Sequence, residues 1–171
     1  MNFLFYIIGS LLMAVIVFLT AFFSMRMFIR NDERKRLLEL KEKSRSAVTP
    51  LRLQAYERMA MFLERIDPNQ LILRVNNGES NNNGLRMLLL ATIRSEYEHN
   101  LSQQIYISSE VWNKICMAKE DTIRIINVSS GKLDPEAPGI ELVSTIIEQT
   151  AGQSPVANAL EALKNEVRLI F

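Results

Sequence analysis

The chain has 171 residues, 48% of them hydrophobic, and 20 Lys+Arg against 19 Asp+Glu give a formal charge of +1. That balance excludes a globally basic nucleic-acid binder and a solvating acidic tail, so any basic patch is local. One cysteine, Cys116, and one histidine, His99, cannot build a disulfide framework or a Cys/His zinc site within a single chain, and no cofactor or metal is implied.

The first 23 residues contain five of the eight phenylalanines and no charged side chain. Phe3 to Phe23 would span about 31 Å as a helix, the thickness of a hydrocarbon core, which predicts a transmembrane anchor over 1–23. A cleaved signal peptide wants a basic start and a small-residue exit, whereas bulky Phe22, Phe23 and Met25 stand at this exit. Residues 24–48 carry eight basic side chains against four acidic ones and read as a basic juxtamembrane spacer helix. Positive charge on the C-terminal flank predicts a single-pass topology with the N-terminus outside and the bulk of the chain in the cytoplasm, at an inner membrane. Arg26, Arg30, Arg34, Lys35 and Arg36 are the candidates for lipid-headgroup contact. The interspersed acids dilute the field that nucleic-acid binding would need.

Thr49-Pro50 carries the signal of a helix start and opens an expected cytoplasmic helical domain over 49–171. Leu51, Ala55, Met59, Phe62 and Ile66 share one helical face, while Leu53 and Met61 lie off it and call for a second apolar contact. Asp67-Pro68 ends this helix, and a short segment over 69–75 follows. The run NNGESNNNG over 76–84 reads as a surface loop. Next come a helix over 85–101, a short extended piece over 103–108, and a helix from a Ser108 or Ser109 cap to about Asn127, with Trp112, Ile115, Cys116, Ile123 and Ile126 inward. A turn-rich linker over 128–139 leads to helices over 140–151 and 156–171. Pro50, Pro68, the asparagine loop and Pro138 are expected to break any continuous stalk helix. The expected fold is mainly α, about five helices in the domain with at most one or two short extended segments.

Within 85–103, Glu96, His99, Asn100 and Gln103 fall on the same side of the helical wheel as Leu85, Leu88, Leu89, Thr92 and Ile93. A carboxylate on a core-facing stripe needs a cation, and Arg58, Arg65 and Arg74 are the candidates for a buried polar network. The rival reading takes the same face as a small-ligand or enzymatic site with His99 and Glu96 as acid–base groups. Glu96 and His99 also have the spacing of a di-iron Glu-x-x-His element, but one histidine gives a single copy per chain. Cys116 reads as a small core hydrophobe. In the last helix Val156, Leu160, Leu163, Val167 and Ile170 form a heptad seam, suited to packing on its own domain or to self-association through 156–171. The apolar Leu169-Ile170-Phe171 end should be docked on something.

The blocks LRLQAYERMAMFLERIDPNQLILRV (51–75) and IRSEYEHNLSQQIYIS (93–108) resemble an uncharacterised family of short single-pass inner-membrane proteins from Bacteroidetes-type bacteria. Against such relatives the asparagine-rich loop looks like an insertion. The resemblance implies no activity and no catalytic residue. The leading reading is therefore a non-enzymatic, membrane-anchored interaction or scaffold module with an unidentified protein partner.

Overall fold

The computed structural model describes residues 2–76, 78 and 80–170, with the side chains at 2, 4, 5, 10, 29–34, 37–38, 40–41 and 44–45 outside the description. The chain divides into two compact units, 1–49 and 50–171. Helix α1 runs from Asn2 to Ile66, so its last part belongs to the second unit. The expected break at Thr49-Pro50 is not there, because Pro50 lies inside α1. Proline removes one amide donor, but its fixed φ is helical, and a helix with good formers on both sides passes through it with one bond lost. The helix-start signal was thus outweighed by the flanking sequence.

The first unit is helical over its described residues. Its window Tyr6–Phe28 is long and apolar enough to cross a membrane, and none of it is buried.

In the second unit α1 ends at Ile66, and Asp67 caps α2, Pro68–Val75, by accepting from the Asn69 amide at 3.1 Å. Helix α3 spans Asn82–Asn100 and begins inside the predicted loop, because Asn81 caps it by accepting from the Gly84 amide at 2.8 Å. A 3₁₀ turn, Leu101–Ile105, replaces the extended piece expected at 103–108. Polar residues with few β-branched neighbours tighten the end of α3 instead of extending it. Ser108 caps α4, Ser109–Ser130, followed by α5, Gly139–Thr150, and α6, Ala157–Ile170. No strand occurs among the described residues.

Helix α4 packs against α3, α5 and α6, and α2 and α3 pack on α5. The core between them holds Met59, Phe62, Leu63 and Ile66 of α1, Leu85, Leu89 and Ile93 of α3, Ile115 and Ile126 of α4, and Leu142 and Ile146 of α5, all at most 1% exposed. The amphipathic face expected on α1 is present except at Leu51, which is exposed. Leu53 and Met61, expected to find a second apolar contact, are exposed as well. The seam of α6 is turned into the domain, with Val156 and Leu163 buried.

The asparagine-rich segment is tied to the turn before α5. The Asn82 and Asn83 amides donate to the carbonyls of Ala137 and Pro135, and the Gly139 amide donates to Ser80 at 2.9 Å. Asn82 is 2% exposed, and its Nδ2 donates to the carbonyls of Ser130 and Asp134. A Cβ on Gly139 would lie 2.5 Å from the Ser80 carbonyl oxygen, so only glycine permits this approach.

Candidate functional site

The polar face expected on α3 separates into members that meet and members that do not. Leu85, Leu89, Leu90 and Ile93 are buried, and Tyr97 is half-buried against the core. At 100° per residue this arc is centred roughly 80° from Leu85 on the Leu90 and Tyr97 side, which leaves Leu88 and His99 outside it. His99 is exposed in the last turn of α3, correcting the inward placement read from the wheel. Glu96 stands at the edge of the arc with its side chain 18% exposed.

Two of the three candidate arginines reach Glu96. Arg65 Nη1 donates to both carboxylate oxygens at 3.2 Å, and Arg74 Nη1 donates to Oε1 at 3.2 Å. Arg74 Nη2 also donates to the Arg65 carbonyl at 3.3 Å, which fixes the end of α1 to α2. Arg58 is exposed and does not join the cluster. Asn100 donates to the Glu96 backbone carbonyl at 2.8 Å, and Gln103 donates to Ser102, so neither touches the carboxylate. With Arg65 56% and Arg74 37% exposed and Glu96 half-buried, this is a surface clasp and not the buried pair expected.

A second acid does more, and the sequence reading passed over it. Glu166 on α6 accepts the Tyr56 hydroxyl at 2.5 Å and the Ser108 amide at 3.0 Å, and its other oxygen accepts the Ser108 hydroxyl. Arg52 Nη2 donates to the Tyr56 hydroxyl oxygen at 3.3 Å. Three elements remote in sequence, α1, the cap of α4 and α6, are joined at one carboxylate. Burial pushes Glu166 up, but the donors from Ser108 and Tyr56 and the Arg52 charge outweigh it and hold the carboxyl below its usual range. Burial, and then the bond to Glu166, pushes the Tyr56 phenol up. A signal for this hub existed: Glu166 follows Leu163 by three residues, on the edge of the seam, where an acid must find a donor.

Cys116 is half-buried, with its Sγ 3.6 Å from the Tyr97 hydroxyl. Burial and then the thiol push Tyr97 up to about 12. Lys119 Nζ lies 4.2 Å from the centre of the same ring, and Trp112 and Phe62 pack beside it with ring centroids 6.0 Å away. Here the thiol serves aromatic packing. Of the proposed headgroup contacts, Arg26, Lys35 and Arg36 are exposed, and the side chains of Arg30 and Arg34 lie outside the described residues. No group of three or more His, Cys, Asp or Glu that could hold a metal occurs among the described residues.

A family model covers residues 2–170, both units included. The chain belongs to DUF7935, a family of unknown function. The resemblance noted in the sequence thus holds at the level of an uncharacterised family. No curated protein and no solved structure matches the chain. In this DUF7935 chain Glu96 and Glu166 each draw donors from separate elements and act as ties between them.

Proposed function

We propose that this protein is a single-pass, membrane-anchored interaction module that holds a small helical domain at the cytoplasmic face of a bacterial inner membrane. One observation carries the reading: Tyr6–Phe28 is an apolar helical window of which nothing is buried, in a unit separate from the folded domain. A helix apolar all round and unpacked suits lipid. Orientation follows from the basic flank at 24–48, and a Bacteroidetes-type source follows from the resemblance of the 51–75 and 93–108 blocks. Exposed Arg26, Lys35 and Arg36 are placed to meet anionic headgroups. The interaction role is supported by the disposition of the polar groups: Glu96 and Glu166 are both occupied as ties, and His99 is exposed.

Alkaline extraction of membranes tests the anchor, and a C-terminal reporter tests the orientation. The protein is expected to stay in the pellet, with the reporter active on the cytoplasmic side. Extraction into the supernatant refutes the anchor, and periplasmic reporter activity refutes the orientation. Co-purification from native membranes tests the interaction role, which predicts a stoichiometric protein partner; recovery of a bound small molecule without any protein would favour the ligand-site reading.

A further inference from the structure

Helix α4 turns one face away from its own domain. At 100° per residue, Glu110, Lys114, Met117, Asp121, Arg124 and Val128 fall within an arc of about 80°. None of the six is buried, and Met117 near the middle is 64% exposed. Two ion pairs lie along the arc, Lys114 Nζ to Glu110 at 2.9 Å and Arg124 Nη2 to Asp121 at 2.6 Å. A groove of about 500 Å³ between α4 and α6 opens beside it, with Lys114, Met117 and Asp121 on the α4 wall and the small side chains of Ala118 and Ala159 in its lining. The order of the charges selects what can lie here. From its N-terminal end the stripe reads acid, base, Met117, acid, base, so every sign reverses about Met117: Glu110 stands as far before it as Arg124 stands after it, and Lys114 and Asp121 flank it more closely. A stripe of this kind is complementary to an antiparallel copy of itself.

We infer that this face of α4, with the groove beside it, is a two-fold interface with a second copy of the chain, the axis passing at Met117. Glu110 then meets the partner's Arg124, Lys114 meets the partner's Asp121, and each pair occurs twice. Other registers fail on charge. A parallel pairing sets each charged side chain against itself, and a slip of one helical turn sets Lys114 against Arg124 in one direction or Glu110 against Asp121 in the other. Exposed ion pairs contribute little affinity, so the charges fix the register and exclude the alternatives. Apolar contact comes from Met117 against the partner's Met117, whose flexible thioether suits the alanine-lined groove. The surface lies wholly within the second unit, so nothing in it depends on the placement of the anchor. The inference rests on the interaction role proposed above and supplies its partner.

The test uses the full chain in detergent micelles. With Cys116→Ser, a short bis-maleimide is expected to join two copies through Met117→Cys, because a residue on a two-fold axis faces itself, and not through Leu73→Cys of α2, which is 79% exposed. In the chain with its native cysteine, Lys114→Glu alone and Asp121→Lys alone are each expected to weaken the dimer about tenfold or more, since like charges replace two opposite pairs. The two variants, co-expressed with different tags, are expected to co-purify, because opposite signs face each other again. Cross-linking at 73 and not at 117, or single charge variants that dimerise as the parent does, overturns the surface. A chain that stays monomeric by light scattering and is not cross-linked refutes the second copy. If that monomer carries a stoichiometric foreign protein from native membranes, the interaction role stands without it; if it carries a small molecule alone, both readings fall.

Discussion

Glu96 and Glu166 are both partly buried carboxylates that tie helices together, yet they differ in how their partners are supplied. Glu96 meets two guanidiniums that keep most of their contact with water, so its ion pairs are screened and each side can be resolvated. Glu166 meets a phenol from a residue 2% exposed and both donors of a helix cap, which have few alternatives if it is removed. The comparison teaches that the strength of such a tie depends on what its partners can do without it, more than on formal charge. The hub at Glu166 is therefore the stronger constraint on the fold.

Replacing each acid in turn tests this ranking, with chemical denaturation as the measurement. Glu166→Ala should cost about 1.5–3 kcal/mol, the range for hydrogen bonds to a charged group, since it strands the Tyr56 hydroxyl and uncouples α6 from the cap of α4. A loss under about 0.5 kcal/mol would contradict the hub. Tyr56→Phe should cost about 1 kcal/mol, because it removes one donor and leaves Glu166 its two bonds from Ser108.

Glu96→Ala should cost about 1 kcal/mol, well below the value for a fully buried pair, because Arg65 and Arg74 are freed into solvent. A cost equal to that of Glu166→Ala would erase the distinction between the two acids. His99→Ala, at an exposed position, should change stability by less than about 0.5 kcal/mol.

Acid sharpens the comparison further. Because the folded Glu166 carboxyl is held below its ordinary range, its contribution is present above the unfolded-state pKa and is lost as pH falls through the lower folded value. Acid titration of stability should show that loss, and Glu166→Gln should flatten it. At the other end of the scale Tyr97, raised from 10.0 to about 12, contributes stability that is lost between those values as pH rises, and Tyr97→Phe should remove that loss.

The sequence by itself determined the elements with local causes. Charge-free apolar length marked the window that is long and apolar enough to cross a membrane, Asp67-Pro68 stopped α1, a serine at 108 or 109 was expected to open α4 and Ser108 caps it, and the 3.6-residue period gave Met59, Phe62 and Ile66 their inward face. It also offered Arg58, Arg65 and Arg74 as cations for Glu96, since an acid near a core face needs one and arginines stood in the preceding segment, and packing selected Arg65 and Arg74 among them. Tertiary packing alone decided the rest. Which 140° of α3 faces inward depends on where α4 and α5 press, and a modest rotation put His99 in water and Glu96 at the rim. The continuity of α1 through Pro50 came from its flanks, against a local start signal. The partners of Glu166 lie 110 and 58 residues away, and the asparagine segment closes on a turn 55 residues on. No periodicity encodes such distances, because they arise only when α6 and the 131–138 turn have folded back onto helices made earlier in the chain.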